Sequence, residues 1–176
     1  PYTSSAASDV YKRQTYMISQ LILNYKELHQ NKNIEFHVFD SFEGLSDIKN
    51  EDENIKRLEL SKIKHIRKQF KSDEGFVRNK VLGKFDFVKT YKGWIPERFI
   101  EVEDKKFSFV HIDVDLYEPT IQSLEFFFPR LAKGGIIVCD DYNSTDFNGA
   151  RNAWDKFFSK NKVYFNFAST LGSSFI

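Results

Sequence analysis

The chain has 176 residues, 41% of them hydrophobic, with 19 Phe and a formal net charge of +1. That length suits one domain with a real core, and so balanced a charge sets up no field that would recruit nucleic acid. No apolar run reaches the roughly 20 residues of a membrane span, no secretory leader is visible, and a lone cysteine, Cys139, excludes a disulfide framework; the expectation is a cytoplasmic setting without membrane or nucleic-acid partners.

The opening stretch PYTSSAASDVYKRQ, residues 1–14, resembles translated sequencing-adapter read-through. It is expected to lie outside the domain, irregular or loosely attached, with the domain itself running over residues 15–176. From Thr15, TYMISQLILNYKELHQ places Met17, Ile18, Leu21, Ile22 and Tyr25 at helical spacing. NIEFHVFD then reads as a buried strand ending in Asp40, and SFEGLSD as a loop. Residues 48–80 are dense in mixed charge and read as one or two exposed helices, a candidate lid. KFDFVKTY is a second strand and KGWIPERF a turn. KFSFVHID is a third strand, followed by a helix over EPTIQSLEFFFPRLAKGG, with Pro119 in the first turn and Gly134 and Gly135 as its stop. IIVCD is a fourth strand, NGARNAWDKFFSK a further helix, and KVYFNFAS with SSFI a closing strand pair.

Strand alternating with helix predicts an α/β fold with a doubly wound, mostly parallel sheet. In such sheets ligands sit outside the carboxyl ends of the strands. Asp40, Tyr91, Asp113 and Asp140 all fall at such ends. Asp40 has two readings: an acceptor for ribose hydroxyls, or a turn or N-cap aspartate. Asp113 and the pair Asp140–Asp141 are expected to approach each other, because the helix between two adjacent parallel strands returns the chain to the same rim. Three carboxylates repel, and a hard divalent cation such as Mg²⁺ relieves that. The alternatives are a solvated acidic rim or pairing with Lys89, Lys92 or Arg151. His111 lies deeper on the same strand and reads as a core histidine, Asp115 as a helix cap or support for the acidic residues, and Cys139 as core packing.

At these residues the sequence resembles the macrocin O-methyltransferase family. FDSFEGL, YKGWIPERF, HIDVDLYEPT, LEFFFPRLAKGGIIVCDDY and GARNAWDKFF carry the likeness, from Ile34 to the C-terminus. The resemblance implies a Rossmann-like fold and transfer of a methyl group from S-adenosylmethionine to a hydroxyl of a sugar on a natural product or polysaccharide. It further implies Mg²⁺ held by Asp113, Asp140 and Asp141, a cofactor ribose at Asp40 with Ser41 nearby, and adenine lined by Tyr91, Lys92, Gly93 and Trp94. Related catechol-type enzymes carry a lysine base where Leu116 stands here, so Asp113 or His65 takes that role. The family's first strand and its glycine-rich loop would precede Thr15, and nothing here resembles them. The expectation is therefore a sheet lacking its first strand and a chain inactive as it stands. The acceptor is a small molecule or glycoside, and a homo-oligomer is left open. Two other readings compete: a nucleotide-sugar glycosyltransferase using Asp113 and Asp115 as a D-x-D pair, and a non-catalytic Rossmann-like binding module.

Overall fold

The structure, a computed structural model, describes residues 6–30, 33–144, 146–162, 166–168 and 173–175. In chain order its elements are α1 (Ala6–His29), β1 (Phe36–Asp40), α2 (Glu53–Lys56), α3 (Leu60–Gln69), α4 (Glu74–Phe76), β2 (Val88–Lys92), β3 (Phe107–Ile112), α5 (Tyr117–Phe127), β4 (Leu131–Cys139), α6 (Asn148–Asn161), β5 (Asn166–Ala168) and β6 (Ser173–Phe175). The architecture is α/β, and its strands fall into two sheets. One is the parallel pair β1–β2; the other has the order β3-β4-β6-β5, parallel between β3 and β4 and antiparallel beyond. Among the described residues β1 and β3 each carry a ladder on one side alone. No described helix is long and apolar enough to cross a membrane.

The chain divides into two compact units, Pro1–Gly44 with Ile66–Trp94, and Leu45–His65 with Ile95–Ile176. In the first, Phe42, Val77, Leu82, Phe85 and Phe87 form a buried cluster against which Ile22, Leu23, Phe36 and Val88 pack. Two expectations about α1 are corrected here. Its helix begins at Ala6 rather than Thr15, so residues 6–14 are helical rather than irregular. No glycine or proline stands between Pro1 and Gly44 to stop a helix spreading upstream. The face it buries is also different: Thr15 and Ser19 are 5% and 0% exposed, whereas Met17 and Leu21 are 62% and 65% exposed. Ser19 is tolerated there because its hydroxyl donates to Thr15 O at 2.8 Å, so its own buried donor is paired. The second strand is shorter than KFDFVKTY: Phe85 and Phe87 are buried in the core cluster, and the ladder with β1 starts at Val88. The charged stretch resolves into three short helices, α2 to α4, and a π-helical turn, Val77–Val81.

In the second unit, aromatic rings from α5, α6 and the 3-10 turns Glu97–Val102 and Phe128–Arg130 pack together: Phe128 meets Phe157 and Phe158 edge-on, Trp154 packs on Phe158, and Phe99 stacks on Phe126. Buried hydroxyls on α5 back-bond to the preceding turn, Thr120 to Leu116 O and Ser123 to Pro119 O, both at 2.7 Å. The helix expected to run to Gly134 stops at Phe127, because Pro129 follows in a 3-10 turn, Phe128–Arg130. Gly134 and Gly135 lie instead within β4, where the register with β3 shifts between Phe107 and Phe109. Gly134 has φ +78°, and a Cβ on Gly135 would stand 2.9 Å from Phe107 O, so the irregularity selects glycine at both positions. The expected closing strand pair is present as β5 and β6, antiparallel.

Candidate functional site

In the second unit the parallel register carries Ile112 opposite Cys139, the last residues of β3 and β4. The chain leaves both strands at the same rim, so the next residues, Asp113 and Asp140, emerge together. Asp141 follows in the 3-10 turn Asp140–Asn143. One carboxylate oxygen from each of Asp113, Asp140 and Asp141 lies within 4.8 Å of the others. Asp141 Oδ2 also accepts the backbone N–H of Asp115 at 3.0 Å. That bond holds Asp115 at φ +60°, in the left-handed region. Asp115 caps nothing: the N-cap of α5 is Leu116, which offers no side-chain acceptor.

Burial and mutual repulsion shape the electrostatics. Desolvation, then the Asp140 charge, pushes Asp113 up to about 6. Desolvation, then the Asp113 charge, pushes Asp141 up to about 7. Asp115 is raised well above the usual carboxylate range, by burial first and then by Asp141, Asp113 and Asp140. His111, read from the sequence as a core residue, belongs to this group: its Nε2 is 3.9 Å from Asp140 Oδ1. Burial lowers its pKa, but Asp140 beside it and the charges of Asp113 and Asp141 outweigh that and leave it raised. The signal that could have found it is its place two residues before Asp113 on one strand face. Burial also raises the Cys139 thiol, as befits a packing residue.

The basic residues that could have neutralised the rim are engaged elsewhere. Arg151 donates to Tyr142 O at 2.9 Å and to Asn143 Oδ1 at 2.6 Å. Lys92 pairs with Glu74 at 3.0 Å, and Lys89 with Glu35. A hard divalent cation fits this donor set: one carboxylate oxygen from each of three aspartates, all close together. His65 is exposed on α3, and the histidine paired with the cluster is His111.

The remaining sequence-predicted residues belong to the first unit. Asp40 ends β1, and its Oδ1 accepts the N–H of Phe42 at 2.8 Å, an Asx turn that sets Phe42 at φ +60°. Ser41 is buried; its hydroxyl donates to Gly44 O and accepts from Glu43 N. Register places Asp40 opposite Lys92 at the ends of β1 and β2, and Gly93 N donates to Asp40 O at 3.0 Å, turning the chain there with φ +134°. Tyr91 stacks on Phe39, centroids 4.8 Å apart, and its hydroxyl meets His37 Nδ1 at 2.9 Å. Trp94 is partly exposed just past the turn. A carboxylate has lone pairs for several donors, of which this turn bond uses one.

Residues 10–169 match the family model described as macrocin-O-methyltransferase (TylF). A curated relative, 8-demethyl-8-(2,3-dimethoxy-alpha-L-rhamnosyl)-tetracenomycin-C 4'-O-methyltransferase of Streptomyces olivaceus, is 35% identical over 57 residues, 32% of this chain and 22% of that protein. The O-methyltransferase NovP superposes with a TM-score of 0.67 at 19% identity, covering 89% of this chain and 65% of that one. CalS11, a calicheamicin methyltransferase, superposes with a TM-score of 0.68 at 18% identity, covering 93% and 67%. At those identities the two structures show a shared fold. The chain spans about two thirds of each of them, and its match takes in under a quarter of the curated relative.

Proposed function

Because the chain belongs to the macrocin O-methyltransferase family, we propose that it is the greater part of an S-adenosylmethionine-dependent O-methyltransferase that uses Mg²⁺ and acts on a sugar hydroxyl of a natural product or polysaccharide. The observation that carries the metal-assisted reading is the convergence of Asp113, Asp140 and Asp141 within 4.8 Å at the carboxyl ends of β3 and β4. The sugar acceptor is supported by the curated relative, which bears the name of an O-methyltransferase of a rhamnosylated compound.

When bound, S-adenosylmethionine supplies an electrophilic methyl group and the cation supplies positive charge that lowers the pKa of an acceptor hydroxyl. Asp40 would accept hydrogen bonds from the ribose diol, beside the Ser41 turn. Tyr91, Lys92, Gly93 and Trp94 would border the adenine. Asp113, Asp140 and Asp141 would hold the cation, and Asp113, whose carboxyl is raised by burial and by Asp140, would serve as proton acceptor. His65, on the exposed face of α3, is the other candidate base. Much of the rate would come from holding acceptor and donor in line.

The D-x-D reading needs Asp113 and Asp115 as a ligand pair. Here Asp113 converges with Asp140 and Asp141 instead, and Asp115 turns its backbone N–H to Asp141. Calorimetric titration with S-adenosylmethionine and with a nucleotide-sugar tests the choice. Binding of the former, weakened in Asp40→Ala, supports the methyltransferase, and binding of the nucleotide-sugar alone supports the glycosyltransferase.

A further inference from the structure

Asp52 lies outside the acidic cluster, in the loop before α2, and is 1% exposed. Its Oδ2 accepts the N–H of Lys49 and its Oδ1 the N–H of Tyr117, both at 2.8 Å. Tyr117 is the first residue of α5, whose own N-cap has no side-chain acceptor. A distant carboxylate therefore does the work of an N-cap side chain, at the positive end of the helix.

From Tyr117 back to Asp113 the chain is short and constrained. Leu116 N donates to Val114 O at 2.6 Å, and Asp115 N donates to Asp141. The loop that presents Asp113 is thus anchored at one end by the β3–β4 ladder and at the other by Asp52. The same segment grips α6, which follows the turn bearing Asp140 and Asp141. Asn54 N donates to Asn148 Oδ1 at 3.1 Å, and Asn152 Nδ2 donates to Glu51 O at 2.8 Å. Gly149 completes the seat: a Cβ there would stand 3.0 Å from Asp52 Cγ and 2.6 Å from Tyr117 N, so the carboxylate occupies space that only glycine leaves open.

We propose that Asp52 is a positioning residue for the cation site: by holding Tyr117 N–H and seating on Gly149 it ties together the first turns of α5 and α6, and so sets the separation of the Asp113 loop from the Asp140–Asp141 turn. The inference rests on the reading of those three carboxylates as cation ligands.

The test is Mn²⁺ binding to the full chain, by calorimetry and electron paramagnetic resonance, for wild type, Asp52→Ala, Asp52→Asn and the core variant Phe158→Leu, each checked for folding by circular dichroism. Groups that orient metal ligands typically change affinity by about 10–100-fold when removed. Asp52→Ala should weaken Mn²⁺ by at least about tenfold. Asp52→Asn retains an oxygen for Tyr117 N–H and should stay within a few-fold of wild type, and Phe158→Leu, destabilised but remote from the loops, should match wild type. Equal weakening in Asp52→Ala and Asp52→Asn overturns the proposal, because it indicates lost charge rather than lost positioning. Wild-type affinity in Asp52→Ala overturns it too, leaving Asp52 a purely structural group. If Asp52→Ala does not fold, Asp52→Ser takes its place, with the same weakening expected and wild-type affinity equally fatal. A wild-type chain that binds no Mn²⁺ removes the cation reading itself, and the proposal with it.

Discussion

Replacing Gly149 with alanine tests the packing on which the site loops rest. In an ordinary helix the exchange stabilises by up to about 1 kcal/mol, since glycine loses more backbone freedom on folding. At this position the added Cβ would overlap Asp52 Oδ1 and stand 2.6 Å from Tyr117 N. Asp52 must withdraw, or α6 must move off α5 and disturb Trp154 and Phe158, which are 0% and 1% exposed. If Asp52 withdraws, the N–H groups of Lys49 and Tyr117 lose their acceptor. A hydrogen bond to a charged group contributes about 1.5–3 kcal/mol, so the pair accounts for about 3–6 kcal/mol. Setting the helix gain against this loss gives a net destabilisation of about 2–5 kcal/mol. Urea denaturation followed by circular dichroism measures it. In an Asp52→Ala background the cost of the alanine should shrink without vanishing, because the contact with Tyr117 N remains. A Gly149→Ala midpoint at or above that of wild type refutes the reasoning, since it would mean that Asp52 does not fill the space beside Gly149.

The metal-free chain should lose stability as pH rises from about 4 to about 7, because Asp113 and Asp141 have folded pKa values of about 6 and about 7 against an ordinary 3.8, so the folded state holds protons that the unfolded chain releases. Melting in chelator at about pH 5.5 and about pH 8 checks the sign, and an Asp113→Asn/Asp141→Asn variant with the same pH dependence as wild type refutes the assignment. Millimolar Mg²⁺ should raise the wild-type melting temperature more at the higher pH, where the unprotonated carboxylates repel; an equal rise at both would count against a shared cation. Gly44→Ala should destabilise by about 1–3 kcal/mol or more, since Gly44 has φ +92° and its Cβ would press on Arg67 O; an unchanged unfolding midpoint would show that the turn relaxes. Asp40→Ala should weaken S-adenosylmethionine by about 1.5–3 kcal/mol, roughly ten- to a hundredfold, in calorimetry, and undiminished affinity would leave Asp40 the turn residue that its bond to Phe42 N already makes it.

What the sequence determined by itself was where polar chemistry meets the ends of apolar runs. Asp40, Asp113, Asp140 and Asp141 each close a hydrophobic stretch, and burial makes such a residue costly without a partner, so a local pattern sufficed to mark them. The α/β class was legible for the same reason, because helix and strand periods are properties of neighbours along the chain. Other features depended on partners far away in sequence. The buried face of α1 follows from what packs on it, and a hydroxyl that bonds within its own helix let Ser19 go inside while Met17 and Leu21 stayed out. Gly134 and Gly135 read as a helix stop until the β3–β4 register placed them in a strand irregularity. His111 met Asp140 through the turn that follows β4. Arg151, a plausible counter-charge on paper, was drawn off by Tyr142 O and Asn143. Asp52 has a local partner in Lys49 N, but its bond to Tyr117, 65 positions away, leaves no signal nearby in the sequence. Tertiary structure decided these because a side chain's partner is chosen by register and packing, and neither is written in the spacing of nearby residues.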